Sequence, residues 1–267
     1  MRLLRRLVRL LGLVGALILG IFLILGHDLG RRLGWLDRHS KHLLAQWWYS
    51  RLLRVMRVEV SLLQAPDQAR GLIAANHISW LDIPVLGSVL PTYFLAKIEV
   101  GQIPVIGWLA RRGGTLFIHR GKSQHAEVLT LMQALMRQGG GDRYLTFFPE
   151  ATTGPGDRLR PFHPRLFAAA IETALPVVPV AIRYSSDDPN HPIIPYGEES
   201  MASNIMRVLG EKQITVEVSA LPALASEACS RRQLADQARL AIALSLRIPA
   251  TPLPGARSNR SAAAPEP

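Results

Sequence analysis

Hydrophobic and polar positions divide the chain into stretches of different rhythm. Leu10 to Gly26 is a run of 17 residues without a charge, bounded by Arg2, Arg5, Arg6 and Arg9 before it and Arg31 and Arg32 after it. That length is at the short end of what crosses a bilayer. A cleaved leader is the rival reading, but the exit LGHDLGRR has no small-x-small cleavage site. The next segment, LLAQWWYSRLLRVM, repeats Leu44, Trp48, Leu52 and Met56 at every fourth position, with Arg51, Arg54 and Arg57 nearby. It predicts a helix lying in the membrane interface, with Trp47 and Trp48 at head-group depth. A core-facing amphipathic helix is the alternative.

From residue 58 the rhythm changes to short β-branched runs alternating with helical stretches. VEVSL, GLIAAN, YFLA, GTLFI, YLTFFP, VVPVAIRY and QITVEVSAL read as strands. Helices are expected after Asp82, over PVIGWLARR, over HAEVLTLMQALMRQGG, over FAAAIETA and over SRRQLADQARLAIALSLR. Such alternation predicts an α/β fold with a mainly parallel central sheet flanked by helices. The organisation expected is membrane-associated helices over 1–57, one α/β domain over 58–248, and a Pro-, Ala- and Ser-rich disordered tail over 249–267.

Composition sharpens this picture. Hydrophobic residues make up 48% of the 267 residues, and 31 Lys plus Arg against 20 Asp plus Glu leave a net charge of +11. Mean hydropathy is +0.15, high for a wholly soluble enzyme. The charge suits anionic partners: phospholipid head groups or an acidic carrier protein. Nucleic acid is disfavoured, because the basic residues are dispersed and no RNA- or DNA-binding motif occurs. Cys229 is the only cysteine, so no intrachain disulfide forms, and EACSRR carries no nucleophile signature. There is no G-x-S-x-G elbow for a lipase, and the histidines are too scattered to suggest a metal site.

Candidate chemistry concentrates in AANHISWLDIPVL, residues 74–86, where Asn76, His77 and Asp82 interrupt an apolar segment. Buried polar groups are tolerated only when paired. A histidine can accept a hydroxyl proton near neutral pH, and a carboxylate can fix its tautomer and stabilise the imidazolium. Five residues along a continuous helix would put the two side chains on different faces, so a turn or a helix start must lie between them. Ser79 and Asp82 are plausible caps, and Pro84 fits only a first turn. His77 is then expected on the loop leaving strand GLIAAN, at the sheet edge where open α/β folds gather their sites. On these residues alone, a structural histidine beside an N-cap aspartate stays open.

Three further blocks follow in order: FLAKIEVGQIPVIGWLARRGGTLFIHRG, FFPEATTGPGDRLRPFHPRLF and LPVVPVAI. With NHISWLD they resemble the four sequence blocks of the glycerolipid (lysophospholipid) acyltransferases, over roughly residues 70–185. The resemblance implies a glycerol-3-phosphate acyltransferase-like α/β fold and O-acyl transfer from acyl-CoA or acyl carrier protein to a lysolipid, most simply lysophosphatidate. It implies His77 and Asp82 as the catalytic pair, with no acyl-enzyme, no metal and no cofactor beyond the thioester co-substrate. It places Arg120 on the acceptor's phosphate, Glu150 on acceptor hydroxyls or a basic neighbour, and Lys97, Thr152 and Thr153 in the acceptor pocket. Surface charges remain the other reading of Arg120 and Lys97. Backbone amides near Gly113 and Gly114 are the oxyanion donors expected.

Two departures stand in the third block, which in the family reads Phe-Pro-Glu-Gly-Thr-Arg. Ala151 replaces the glycine and argues against a left-handed backbone there. Thr153 replaces the arginine associated with phosphate. It points to Arg158, Arg160 or Arg165 as substitutes, or to an acceptor without a phosphate monoester, such as a lyso-ornithine lipid. A membrane-tethered lipid-binding protein without catalysis is the alternative of another class. Because thioester donors are cytoplasmic, a hairpin or one-leaflet helix is expected, with the catalytic domain on the cytoplasmic side of the inner membrane. The fourth block is expected to be a buried strand.

Overall fold

The computed structural model describes residues 2–37, 40–118, 130, 143–186, 200–227 and 229–249. The helix expected over 125–140, apart from Thr130, together with Arg120 and the tail beyond Pro249, lies outside these residues.

Among the described residues, seven strands form one sheet: β1 (Val58–Gln64), β2 (Gly71–Ala75), β3 (Thr92–Lys97), β4 (Leu116–Ile118), β5 (Tyr144–Phe147), β6 (Val177–Ser186) and β7 (Ile214–Ala220). Their order is β1-β7-β6-β2-β5-β3-β4. The five strands from β6 to β4 are mutually parallel, whereas β7 runs antiparallel to β6 and parallel to β1. β2 lies in the middle and is buried along its whole length, hence its unbroken apolar run. β7 buries Ile214, Val216, Val218 and Ala220 and leaves the residues between them less buried, hence its strict alternation.

Period two along β2 feeds two cores. Ile73 and Ala75 join a cluster with Val178, Val180 and Ile182 of β6, while Leu72 and Ala74 join a second on the opposite face. The first is covered by α2 (Ser40–Met56), α3 (Asp82–Val89) and α7 (Met201–Val208). The second is covered by α6 (Ala168–Thr173), with a 3-10 turn at Pro164–Phe167 before it, and by α8 (Arg231–Leu246). Two short helices, α4 (Ile98–Gly101) and α5 (Ile106–Gly113), connect β3 to β4.

α1 (Arg2–Arg32) extends well past the uncharged run at both ends. Its 31 residues make a helix about 46 Å long. One side lies against the protein: a Cβ at Gly20 would sit 2.9 Å from the Trp48 indole, and Trp48 Nε1 donates to Ala16 O at 2.7 Å. The other side exposes Leu4, Leu7, Leu11, Val14, Ile18, Phe22, Leu25 and Leu29, at spacings of three or four, as one apolar stripe. Both ends are fastened to the α/β domain. Arg9 donates to the carbonyls of Leu209, Glu211 and Lys212, Arg2 pairs with Glu211, and near the far end Asp28 pairs with Arg112 of α5 at 2.7 Å.

α2 corrects the interfacial expectation. Leu52 and Met56 of its every-fourth stripe, with Leu53, are buried in the first core, so the segment before residue 57 shares a core with the domain after it. Sheet and α3 offer this face a protein surface, which takes the place of lipid; Trp47, on another face, stays exposed.

Candidate active site

β2 ends at Ala75 and α3 begins at Asp82, so NHISWL forms the loop at the C-terminal edge of the central strand. Every polar side chain that interrupted the apolar segment has a partner. Asn76 is buried and continues the sheet with its amide: Nδ2 donates to Ile182 O at 3.0 Å and Oδ1 accepts from Ile182 N–H at 2.8 Å. Asp82, fully buried as the first residue of α3, turns its carboxylate back onto the loop. Oδ2 accepts from His77 Nδ1 at 2.8 Å, Ile78 N–H at 2.7 Å and Ser79 N–H at 3.0 Å; Oδ1 accepts from the Tyr184 hydroxyl at 2.6 Å. Asp82 therefore binds the loop before the helix, the turn that the five-residue spacing required.

An ionised carboxylate only accepts, so the proton on His77 Nδ1 points at Asp82 and Nε2 carries the lone pair. The His77 side chain is 19% exposed, and its Nε2 makes no hydrogen bond with the described residues. Phe148 stacks on the ring with centroids 4.1 Å apart at 20°, which restricts rotation about the side-chain bonds. The arrangement has what general-base chemistry requires: a fixed tautomer, a buried counter-charge and one accessible nitrogen.

Glu150 accepts its hydrogen bonds from backbone amides. It is 3% exposed; Oε1 accepts from His77 N–H at 2.8 Å and Oε2 from Arg160 N–H at 2.9 Å. The carboxylate thus ties the loop after β2 to the loop after β5. Burial pushes its pKa up, and the two amide hydrogen bonds oppose that shift without cancelling it. Gly154 N–H donates back to His77 O at 2.6 Å, placing Thr153, the preceding residue, beside the loop after β2. Thr153 is half-buried and Thr152 exposed.

Two backbone expectations are overturned. Ala151 has φ +57°, so the position is left-handed and the glycine of the family pattern is explained; the N–H of Ala151 closes the turn onto Phe148 O. A non-glycine residue there is strained by about 1–2 kcal/mol. Ala151→Gly is therefore expected to raise Tm by a few degrees in a thermal melt, with turnover unchanged. Gly113 and Gly114 are not placed to serve as the oxyanion donors. Gly114 is the left-handed C-cap of α5, its N–H donates to α5 carbonyls, and a Cβ there would meet Tyr93. Tyr93 pairs with Leu145, and Leu145 with Leu72, five residues before His77 along the central strand.

Lys97 closes β3 at the same sheet edge as His77, half-buried, with β5 lying between β3 and β2, about 10 Å across the sheet. Val177–Ile182 is the buried strand expected. What sequence reading missed is Tyr184, two residues beyond that block on the face of Ile182, and the Trp80 indole, which donates to Asn204 of α7 at 2.9 Å.

Residues 57–183 match the family model described as Acyltransferase. The lyso-ornithine lipid O-acyltransferase of Pseudomonas aeruginosa is 40% identical over 250 residues, covering 92% of this chain and 94% of its own. The chain belongs to the acyltransferase family. A 1-acyl-sn-glycerol-3-phosphate acyltransferase of Neisseria gonorrhoeae is 35% identical over 156 residues, 58% of this chain and 60% of its own. The 1-acyl-sn-glycerophosphate acyltransferase PlsC of Thermotoga maritima has the same fold, with TM-score 0.66 at 21% identity over 92% of this chain and 97% of that one. This acyltransferase is thus an enzyme of lysolipid acylation. Among its described residues no group of three His, Cys, Asp or Glu could hold a metal.

Proposed function

We propose that this acyltransferase moves an acyl chain from an acyl thioester to the hydroxyl of a lyso-ornithine lipid, with His77 as general base. The observation that carries the chemistry is the 2.8 Å contact between His77 Nδ1 and buried Asp82. His77 Nε2 takes the hydroxyl proton as the oxygen attacks the thioester carbonyl. The C–O bond forms, the C–S bond breaks, and the thiolate leaves with the proton from the imidazolium. No acyl-enzyme and no cofactor enter this scheme. An intact base also speaks against a lipid-binding protein without catalysis.

Thr153 supports the choice of acceptor. A phosphate monoester calls for a planar, two-pronged cation, and the third block supplies a hydroxyl at the arginine position. The Pseudomonas relative, named for lyso-ornithine lipid, supports it independently. Lysophosphatidate is the second reading, favoured by the Neisseria relative; there Arg120 would carry the phosphate. The donor is acyl carrier protein or acyl-CoA, drawn by the basic charge.

The same proposal includes location. A helix fastened at both ends to one domain and apolar along its outer side lies in one leaflet. We place it in the inner membrane, with the catalytic domain cytoplasmic.

One experiment tests acceptor and orientation together. Labelled acyl carrier protein and acyl-CoA, neither of which crosses a bilayer, are added to inverted and right-side-out membrane vesicles containing the full chain and either lysolipid. Transfer to lyso-ornithine lipid in inverted vesicles alone is the expected result. Transfer to lysophosphatidate alone selects the second reading. Transfer in right-side-out vesicles overturns the orientation, and no transfer to either lipid overturns the function.

A further inference from the structure

β6 reaches further than its neighbour. The last pair between β2 and β6 is Ala75 with Val180, whereas β6 runs on to Ser186 along β7. The catalytic loop crosses this overhang and is held there twice. Ile182 takes Asn76 in a two-way backbone clamp, and two residues on, on the same face, the Tyr184 hydroxyl reaches Asp82 Oδ1.

Asn76 already anchors the loop to the strand. The Tyr184 contact differs in kind. It engages the only Asp82 oxygen not occupied by His77 and the loop amides, and at 2.6 Å it has the length of a charge-assisted O–H···O⁻ bond. Burial, reinforced by the adjacent Asp82 charge, pushes the phenol pKa well above its ordinary value, so Tyr184 stays a donor throughout the working range. A phenylalanine would fill the same space and leave Oδ1 without its donor.

We propose that Tyr184 is a positioning residue of the transfer site: its hydroxyl holds the Asp82 carboxylate, and through it the His77 ring, in the geometry that accepts the acceptor's proton. This rests on His77 being the base. With Oδ1 hydrogen-bonded, part of the Asp82 charge is drawn towards Tyr184 and the carboxylate attracts the imidazolium less strongly. Without it, the full carboxylate charge faces the imidazolium, and the carboxylate is free to rotate. The ionisable groups around Asp82 among the described residues are His77, Tyr184 from β6 and Glu150 from the loop after β5. Tyr184 is not among the groups that shift Glu150, so the effect of Tyr184→Phe is expected at His77.

The test is steady-state transfer by the full chain in mixed micelles, with pH profiles for wild type, Tyr184→Phe and His77→Ala. For Tyr184→Phe, kcat is expected to fall about tenfold, the scale of one hydrogen bond to a charged group, with KM for the lysolipid unchanged. The acid limb of kcat moves to higher pH. Wild-type kcat with an unmoved limb overturns the proposal, as does a raised KM with an unmoved limb, which would mark Tyr184 as packing only. Should Tyr184→Phe fail to fold, 3-fluorotyrosine at 184 provides a stronger donor of nearly the same shape. It is expected to move the limb to lower pH, and an unmoved limb again overturns the proposal. Turnover by His77→Ala at the wild-type rate would overturn the base itself; a dead His77→Ala beside a wild-type Tyr184→Phe would remove only the role of Tyr184.

Discussion

His77→Ala is expected to lower acyl transfer by at least about three orders of magnitude while leaving Tm within a few degrees of wild type. The loss is large because no other described side chain combines an accessible lone pair with a buried counter-charge at this edge. The structural effect is small because Asp82 keeps three of its four donors, the amides of Ile78 and Ser79 and the Tyr184 hydroxyl. Asp82→Asn should do less damage, retaining at least about tenfold more activity than His77→Ala. The amide oxygen can stay where three N–H groups point, and the amide nitrogen can face Tyr184, whose hydroxyl accepts as well as donates. Tautomer and ring orientation survive, and only the charge opposite the imidazolium is lost. Radiolabelled transfer beside thermal melts checks both variants. Wild-type turnover by His77→Ala would remove the mechanism.

The strands were legible because each carries its burial in its composition. β2 is central and uniformly apolar; β7 is covered on one face and alternates. Direction was less accessible. Nothing in QITVEVSAL distinguishes a parallel strand from the antiparallel one that β7 is, because side-chain alternation is the same in both. α7 was overlooked for a related reason. It is eight residues long, and buried Asn204, bonded to the Trp80 indole, occupies a position where an apolar residue would have completed the stripe. The stripe on α2 was visible, but periodicity reports an apolar face without naming what covers it.

The site was legible where chemistry and spacing coincide. His77 and Asp82 stand five residues apart on one loop, and both belong to a recognisable block. Tyr184 lies 102 residues from Asp82 in sequence, in a strand that reads as plain core, so only the fold brings them together. Ala151 misled in the opposite sense. An alanine argues for ordinary backbone, yet the turn is shaped by Glu150 on one side and Gly154 on the other, and local strain yields to those contacts.

Glu150 shows how one residue type supports two roles that a variant can separate. As a group gripping acceptor hydroxyls, it would lose affinity on mutation and leave stability alone. As the carboxylate between His77 N–H and Arg160 N–H, its loss acts on folding and on the rate. Glu150→Ala deprives two part-buried amides of their acceptor, at about 1 kcal/mol each, and opens a cavity beside the His77 backbone. The expected result is a fall in Tm of ten degrees or more, roughly, and a loss of kcat of about a hundredfold, with KM for the lysolipid little changed. Glu150→Gln keeps the volume but turns an NH2 towards one of the amide donors, so it should fall between Glu150→Ala and wild type. pH gives a further check. The folded chain binds the Glu150 proton more tightly than the unfolded chain does, so this group contributes stability that is full below its unfolded pKa and is lost as pH rises through the raised folded value. Glu150→Gln deletes that contribution, so its Tm deficit should be widest in acid and narrow towards neutrality. A variant with wild-type Tm at every pH and a raised KM would return Glu150 to the acceptor pocket.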